Sequence, residues 1–277
     1  MSNAGSVNNH RGREDGVLVY PVYSRRSKGL SVGVNLFPHR KSCSFDCPYC
    51  EVFPFNAEKC LFSLKNLDED LREILPKIKG DVRDICFSGN GEPTVSPHLL
   101  QALDCAGKIR DECVPNADLV VITNGSGLLN EDIFNALVES AVGKMRLNLW
   151  LKLDAGTDEW YQKINRSNIP FLALVDKIRD FVKRAPVILQ CMICKIDGEV
   201  PSAAEVLAWE KSVSELAGFG DGISSGVKVI HLYGKARPAP EDPLAEEVEL
   251  SYLETRSSSL RNLLKSAGLN TSVEVFP

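Results

Sequence analysis

Apolar, β-branched runs alternate with amphipathic stretches along most of the chain. "LSVGVNLF" (30–37) reads as a strand, and "LDEDLREILPKIKG" as a helix with acids in its first turn, ended or kinked at Pro76. "VRDICFSG" (82–89) is a second strand. "SPHLLQALDCAGKIRDE" is a helix with Ser96 as cap and Pro97 at its first position. "ADLVVITNG" is a third strand, followed by the helix "NEDIFNALVESA" opened by Asn130. "MRLNLWLKLDAG" is the fourth strand, before "TDEWYQKINRS" and the helical "FLALVDKIRDFVKRA". "PVILQCMICK", a helix over "SAAEVLAWEKSVSELAG" and "GVKVIHLYGKARP" give the fifth and sixth strands with their crossover. A long C-terminal helix, "SYLETRSSSLRNLLKSAG", precedes a short final strand, "TSVEVF".

Six strand–helix repeats imply parallel pairing, because each helix serves as a crossover. The strands are near-continuously apolar, as expected when both faces are covered. The units are too few for an eight-fold barrel. The fold expected is α/β, an open partial (β/α)6 TIM-like barrel of parallel strands, with a doubly wound sheet as the alternative. In such folds function sits beyond the C-terminal ends of the strands. A cysteine-rich loop follows the first strand there, "GNGEPT" the second, "TNGSG" the third, "KLDAG" lies at the fourth and "YGKARP" follows the sixth. Independent polar motifs thus converge on one rim.

Composition narrows the setting. The 277 residues are 44% hydrophobic and 25% charged, an ordinary globular mixture, and no low-complexity linker divides them. Residues 1–16 are polar and read as a disordered tail, leaving 17–277 as one domain. No apolar run nears the roughly 20 residues a membrane span needs, so a cytoplasmic protein without membrane partners is expected. Nine cysteines, an odd count, argue against a closed disulfide framework. A net charge of −5 gives no global pull toward nucleic acid.

"KSCSFDCPYCEVF" places Cys43, Cys47 and Cys50 within eight residues. Three thiolates in a short loop can hold a soft metal centre. Zinc usually takes four protein ligands, with His39 as the available fourth. An iron–sulfur cube normally takes four cysteines, so three leave one iron open to a substrate or cofactor. Unliganded loop thiols are the plain alternative.

Cys43-x3-Cys47-x2-Cys50 after the first strand, with Tyr49 before the last cysteine, resembles the radical SAM superfamily. "YPVYSRRSKGLSVGVNLFP", "CSFDCPYC", "FSGNGEPTVSPH", "LKLDAGTDEWYQKINR" and "LYGKARP" are together similar to tRNA-wyosine synthases and their bacterial relatives, over about residues 17–240. The resemblance implies a radical SAM domain with a C-terminal helical extension. It implies a [4Fe–4S] cluster on the three cysteines and S-adenosylmethionine on the open iron. Reductive cleavage would yield a 5′-deoxyadenosyl radical that abstracts hydrogen from a substrate. It also implies a reductant such as flavodoxin or ferredoxin, and a substrate of the tRNA nucleoside class. The wyosine branch adds a carbon unit from pyruvate. Its archaeal members carry further cysteines ahead of the loop, and no cysteine precedes Cys43 here. A glycyl-radical activase-like enzyme and a non-enzymatic metal-binding module are the rival readings.

The other rim residues each have two readings. Gly89, Asn90, Gly91, Glu92 and Pro93 make a tight strand-to-helix turn, or let backbone approach a ligand closely. By resemblance they hold the SAM amino group, with Glu92 orienting the amine and Asn90 where the superfamily usually has Gly. Thr123 and Asn124 are either a turn or a SAM contact. Lys152 and Asp154, two apart on a strand, share one face. Facing outward they are ion-pair residues. Facing inward they are costly unless used. The resemblance places Asp154 at the SAM ribose and Lys152 at the substrate. Desolvation there is expected to lower the Lys152 pKa and suit it to a Schiff base with a 2-oxo acid. Gln190 can reach the pocket. Arg237 is a surface residue or an anion clamp for the SAM carboxylate or a substrate acid. "SRRSKG" (24–29) binds phosphate or is simply solvated. Cys191 and Cys194, three apart on a strand, should point to opposite faces as core residues. Cys60, Cys86, Cys105 and Cys113 also read as packing residues.

Overall fold

The computed structural model describes residues 17–52, 55–57, 60–237, 239 and 244–277. The expected disordered tail, 1–16, lies outside them. Among the described residues there are ten strands and seven α-helices, alternating from β3 to β6. The strands are β1 Val19–Ser24, β2 Gly29–Val34, β3 Val82–Phe87, β4 Asp118–Thr123, β5 Leu147–Lys152, β6 Pro186–Ile193, β7 Lys195–Ile196, β8 Gly226–Gly234, β9 Ala245–Glu246 and β10 Ser272–Phe276. The helices are α1 Leu64–Ile74, α2 Leu99–Cys113, α3 Glu131–Val142, α4 Asp158–Ile164, α5 Phe171–Arg184, α6 Ala203–Ala217 and α7 Leu250–Ser266. Eight strands form one sheet, ordered β1-β2-β3-β4-β5-β6-β8-β10, while β7 and β9 pair separately. From β2 to β10 every pairing in the large sheet is parallel. The sheet curls into a half-barrel with helices, the partial TIM-like barrel expected from the repeat pattern.

Alternation along the strands separates two faces. Leu147, Leu149 and Leu151 of β5 join the main core, which draws side chains from all the larger helices. On the opposite face, Trp150 gathers with Cys86 and Val120, and with Ile122 and Ile188, a small cluster made of strand residues alone. That inner face also carries the polar positions of the site.

The structure departs from the sequence reading in four places. Strand β1 was not expected. It is antiparallel to β2 and carries Pro21, which an edge strand tolerates because one side of it needs no ladder bond. Helix α1 starts three residues earlier than the pattern suggested, capped by Ser63, whose hydroxyl accepts from Asn66 N, so its acids fall beyond the first turn. Helix α2 starts at Leu99, and Ser96 instead accepts from His98 N just before it. Cys194 lies past the end of β6, so the opposite-face argument does not apply to it. Cys191 and Cys194 are both buried in the main core. Pro76 does end α1, passing it into a 3-10 turn, and Asn130 caps α3 through Asp132 N and Ile133 N. Among the described residues no helix is long and apolar enough to cross a membrane.

Candidate active site

The cysteine loop leaves β2 at its C-terminal end and is tied down on two sides. Ser42 pairs with Gly91 as an isolated bridge: Ser42 N donates to Asn90 O at 3.0 Å, and Glu92 N donates to Ser42 O at 2.9 Å. Across the mouth, Asp46 N donates to Asn165 O at 3.0 Å and Ser167 Oγ to Ser44 O at 3.1 Å. Phe45 is buried edge-on against Tyr161. The loop is therefore held between the β3 turn and the α4–α5 connection.

Amide donors face the sulfurs. Phe45 N points at Cys43 Sγ (3.4 Å), Asn124 Nδ2 at Cys43 Sγ (3.6 Å) and Asn165 Nδ2 at Cys47 Sγ (3.5 Å). A neutral thiol is a weak acceptor, whereas hydrogen bonds to sulfur are a normal part of iron–sulfur ligation. Burial pushes the Cys43 thiol up to about 12 and the Cys47 thiol up to about 11. Such thiols stay protonated at neutral pH unless a metal ion takes the proton's place. All three cysteines line one cavity, yet among the described residues no three His, Cys, Asp or Glu side chains converge on a metal-sized point. His39, the candidate fourth zinc ligand, does not line that cavity. The donor set and its amide partners suit a thiolate-bound cluster.

The glycine-rich turn is organised from within. Gly89 has φ +118°, a left-handed region that favours glycine, and sits against Asn35. Asn35 Oδ1 accepts from Phe37 N and Asn90 N. At Gly91 an added Cβ would lie 1.8 Å from Ser42 O. The close approach at Gly91 is thus to the cysteine loop's own backbone. Glu92 is fully committed inside the chain. Its Oε1 accepts from Thr94 N, Thr94 Oγ1 and Thr123 Oγ1, and its Oε2 from Asn124 N at 2.7 Å. Burial holds its pKa above the ordinary value although these donors pull downward. Glu92 therefore binds the end of β3 to the end of β4, a role the motif alone did not disclose. Gly89, Asn90, Gly91, Glu92 and Asn124 line the cavity; Pro93 is buried behind them and opens a 3-10 turn.

Lys152 lines the floor, with Asp154 buried behind it. The Lys152 ammonium lies 3.2 Å from Asp154 Oδ2 and 2.6 Å from the Tyr233 hydroxyl, with the Tyr49 ring 4.9 Å away. The Asp154 side chain is 1% exposed. Tyr49 O–H donates to Oδ2 at 2.5 Å, Asn165 Nδ2 to Oδ2 at 3.1 Å and Met192 N to Oδ1 at 2.9 Å. Filled on every side, this carboxylate organises the floor and offers no open edge to a ribose. The lowered Lys152 pKa expected from the sequence is reversed. Burial alone would lower it, but Asp154, Tyr233 and Cys47 outweigh burial and hold it above the ordinary lysine value. A protonated, ion-paired ammonium is not a Schiff-base nucleophile.

The far wall comes from β8, the β1–β2 turn and the segment after β8. Behind that wall, Gln190 of β6, which does not itself line the cavity, meets His231 Nδ1 through Nε2 at 2.8 Å and receives Arg26 Nη1 on its Oε1 at 2.5 Å. Arg237 pairs with Glu51 at 2.5 Å. The whole cavity measures about 730 Å³. Sequence reasoning missed Tyr233 and Asn165, and named Arg26 only within the basic stretch "SRRSKG". Tyr233 shares the inner face with His231 by simple alternation, a signal available in "HLYGKARP". Nothing in the sequence marks Asn165. Of the remaining cysteines, Cys86 is buried, Cys60 and Cys105 are half-buried, and Cys113, read from the sequence as a packing residue, is exposed.

No protein-family model matches the chain. A UPF0026 protein of Helicobacter pylori (strain J99) is 29% identical over 151 residues, 53% of this chain and 47% of the relative. The chain thus spans about half the length of the curated relatives it matches. Among solved structures, Streptococcus suis SuiB bound to S-adenosylmethionine superposes with TM-score 0.62 at 12% identity, covering 85% of this chain and 48% of SuiB. The chain has the fold of radical SAM enzymes. A radical SAM methyltransferase from Sphaerobacter thermophilus agrees, with TM-score 0.58 and 16% identity over 92% of this chain and 68% of that one.

Proposed function

We propose that the chain is a radical SAM enzyme. Cys43, Cys47 and Cys50 would hold a [4Fe–4S] cluster, and S-adenosylmethionine would lie along Gly89, Asn90 and Gly91 toward Asn124. One observation carries the reading: the three cysteines, with amide donors aimed at two of their sulfurs, share a cavity with the glycine-rich turn at the C-terminal ends of a half-barrel. When bound, such a cluster supplies one electron for reductive cleavage of the sulfonium to methionine and a 5′-deoxyadenosyl radical. The protein's own residues fix the surroundings. Asn124 and Asn165 orient Cys43 and Cys47 by hydrogen bonds to sulfur. Lys152 places a positive charge beside Cys47, where thiolate charge would gather. Tyr49, Asp154 and Tyr233 hold that lysine in place.

The wyosine-like motifs support a nucleoside of tRNA as substrate and a flavodoxin or ferredoxin as electron donor. Pyruvate as a Schiff-base partner is dropped, because Lys152 is held as an ammonium. Anaerobic reconstitution tests the reading. About four irons per chain are expected, with 5′-deoxyadenosine formed on addition of dithionite and SAM, and both lost in Cys47→Ala but kept in Cys191→Ala. Zinc as the sole metal after anaerobic purification, with no 5′-deoxyadenosine, refutes it in favour of a binding module.

A further inference from the structure

The cavity is basic in an acidic protein. Five cations line it, Arg25, Arg26, Lys152, Lys235 and Arg237, against two carboxylates, Glu51 and Glu92. Glu92 is consumed by its own donors and Glu51 by Arg237, and Lys152 is paired with Asp154. That leaves Lys235, just past β8, and the two arginines of the β1–β2 turn. Arg26 reaches across the mouth to the inner face of three strands. Its guanidinium carbon stands 4.8 Å over the Tyr233 ring and 5.7 Å from the Trp150 ring centre, with one nitrogen on Gln190. Among the described residues no carboxylate pairs with it. Arg25, beside it, donates to the Pro277 carbonyl oxygen. Burial and the nearby charges of Arg237 and Arg26 hold Arg25 below its ordinary pKa.

This crowding is built in. The turn is closed by Lys28 N on Arg25 O and by Ser27 N on Ser24 Oγ, and Lys28 takes φ 55°. Lys28 Nζ then pins the turn to Glu274 of β10 at 2.8 Å, so one edge of the sheet is tied to the other. Three arginines held together at a cavity mouth, with Glu51 as the one nearby acid among the described residues, are in excess of negative charge until an anion joins them. A carboxylate offers two oxygens, enough for one guanidinium fork, whereas a phosphate can take forks from several. We propose that Arg25, Arg26 and Arg237 form a subsite for a phosphate group of the substrate. That this phosphate belongs to a substrate rests on the radical SAM reading; the anion site itself does not.

The test is calorimetric titration of the reconstituted protein with inorganic phosphate, AMP, adenosine and a short single-stranded RNA lacking a terminal phosphate, with SAM titrated in parallel. Phosphate and AMP should bind and adenosine should not, and Arg26→Ala and Arg25→Ala should each weaken phosphate roughly tenfold. Arg26→Lys should recover only part of the loss, since the fork is gone. RNA binding that is lost in the same variants assigns the site to a polynucleotide backbone, and AMP binding alone to a free nucleotide; either supports the proposal. Arg25 is exposed, so its variant remains informative if Arg26→Ala does not fold. Absent phosphate binding, or phosphate binding unchanged in both variants, overturns the proposal. Loss of SAM affinity with phosphate affinity intact also overturns it, by assigning the arginines to the SAM carboxylate. Phosphate bound normally by a protein that makes no 5′-deoxyadenosine would sink the radical SAM reading and leave the anion site standing.

Discussion

Gly91→Ala should damage the cysteine loop before it touches any ligand. The added Cβ would lie 1.8 Å from Ser42 O, 2.7 Å from Ser42 C and 2.9 Å from Phe37 Cδ2. Two of these atoms are backbone, so no side-chain rotation relieves the clash. The strand of loop at Ser42 must retreat by more than about 1 Å to reach an ordinary nonbonded distance. That retreat breaks the two hydrogen bonds joining the loops, Ser42 N to Asn90 O and Glu92 N to Ser42 O. At roughly 1–2 kcal/mol for each buried bond, the cost is about 2–4 kcal/mol. For a chain of this size that is a fall in Tm of roughly 5–15 °C. Gly107→Ala is the control. It sits inside α2, where the nearest atoms to a new Cβ are 3.9 Å away, so it should be neutral or stabilising by up to about 1 kcal/mol. Urea unfolding reads the stability of both variants, and iron content after anaerobic reconstitution reads the loop. Gly91→Ala with stability within about 0.5 kcal/mol of wild type and full iron would show that the two backbones do not meet as described, and would return Gly91 to the role of an open ligand approach.

Three further outcomes follow from the same floor and wall. Asp154→Asn leaves Lys152 without its buried partner and should cost about 3–5 kcal/mol in urea unfolding, whereas the double variant with Lys152→Met should recover much of that; no recovery would mean the pair is not coupled. Incubation with labelled pyruvate and borohydride at neutral pH should leave Lys152 unlabelled by mass spectrometry, because its ammonium is held protonated; a label there would refute the ion-pair account. Burial pushes the His231 imidazole down to about 4, so the folded state refuses a proton that the unfolded chain accepts below about 6.5. The stability this neutral His provides is complete above pH 6.5 and is lost as pH falls toward 4, by about 3 kcal/mol relative to His231→Gln; parallel pH profiles for the two proteins would contradict it.

The strands were legible because the sequence states their burial directly. β2 to β6, β8 and β10 are apolar runs punctuated by turn residues, and their order follows from the crossovers between them. β1 was not legible, because Pro21 and an exposed Tyr23 disguise a strand that has a neighbour on one side only. Period two placed Lys152 and Asp154 on one face, and that is where they stand. The protonation of Lys152 was beyond reach. It depends on Tyr233, which is 81 residues away along the chain, and on an aspartate whose other partners are Tyr49, Asn165 and Met192. Burial of a lone lysine lowers its pKa and burial beside a carboxylate raises it; the sequence put Asp154 on the same face, but not the distant partners that fix it against the ammonium. Gly91 shows the same limit in backbone form. The motif announced a close approach, but only the fold says which chain approaches.

The net charge of −5 gave no argument for a polyanionic substrate, and the cavity explains why that quantity misleads here. Charge summed over a surface governs long-range steering and is screened within about 10 Å at ordinary salt. Recognition inside a cleft depends on the few charges that line it and on which of them are already neutralised. Several acids of this chain lie in helix-surface pairs such as Asp68–Arg72, Glu73–Lys77 and Asp104–Lys108, each one turn apart and exposed. Such pairs contribute little to stability and nothing to the cavity. The arginines of "SRRSKG" reach the cavity only because the sheet curls, which brings the turn at one edge against β10 at the other. A flat, doubly wound sheet would leave that same turn at a remote edge in water. The choice between the two topologies therefore decides whether these arginines stand in open solvent or line the cavity, and the half-barrel sets them on the cavity wall.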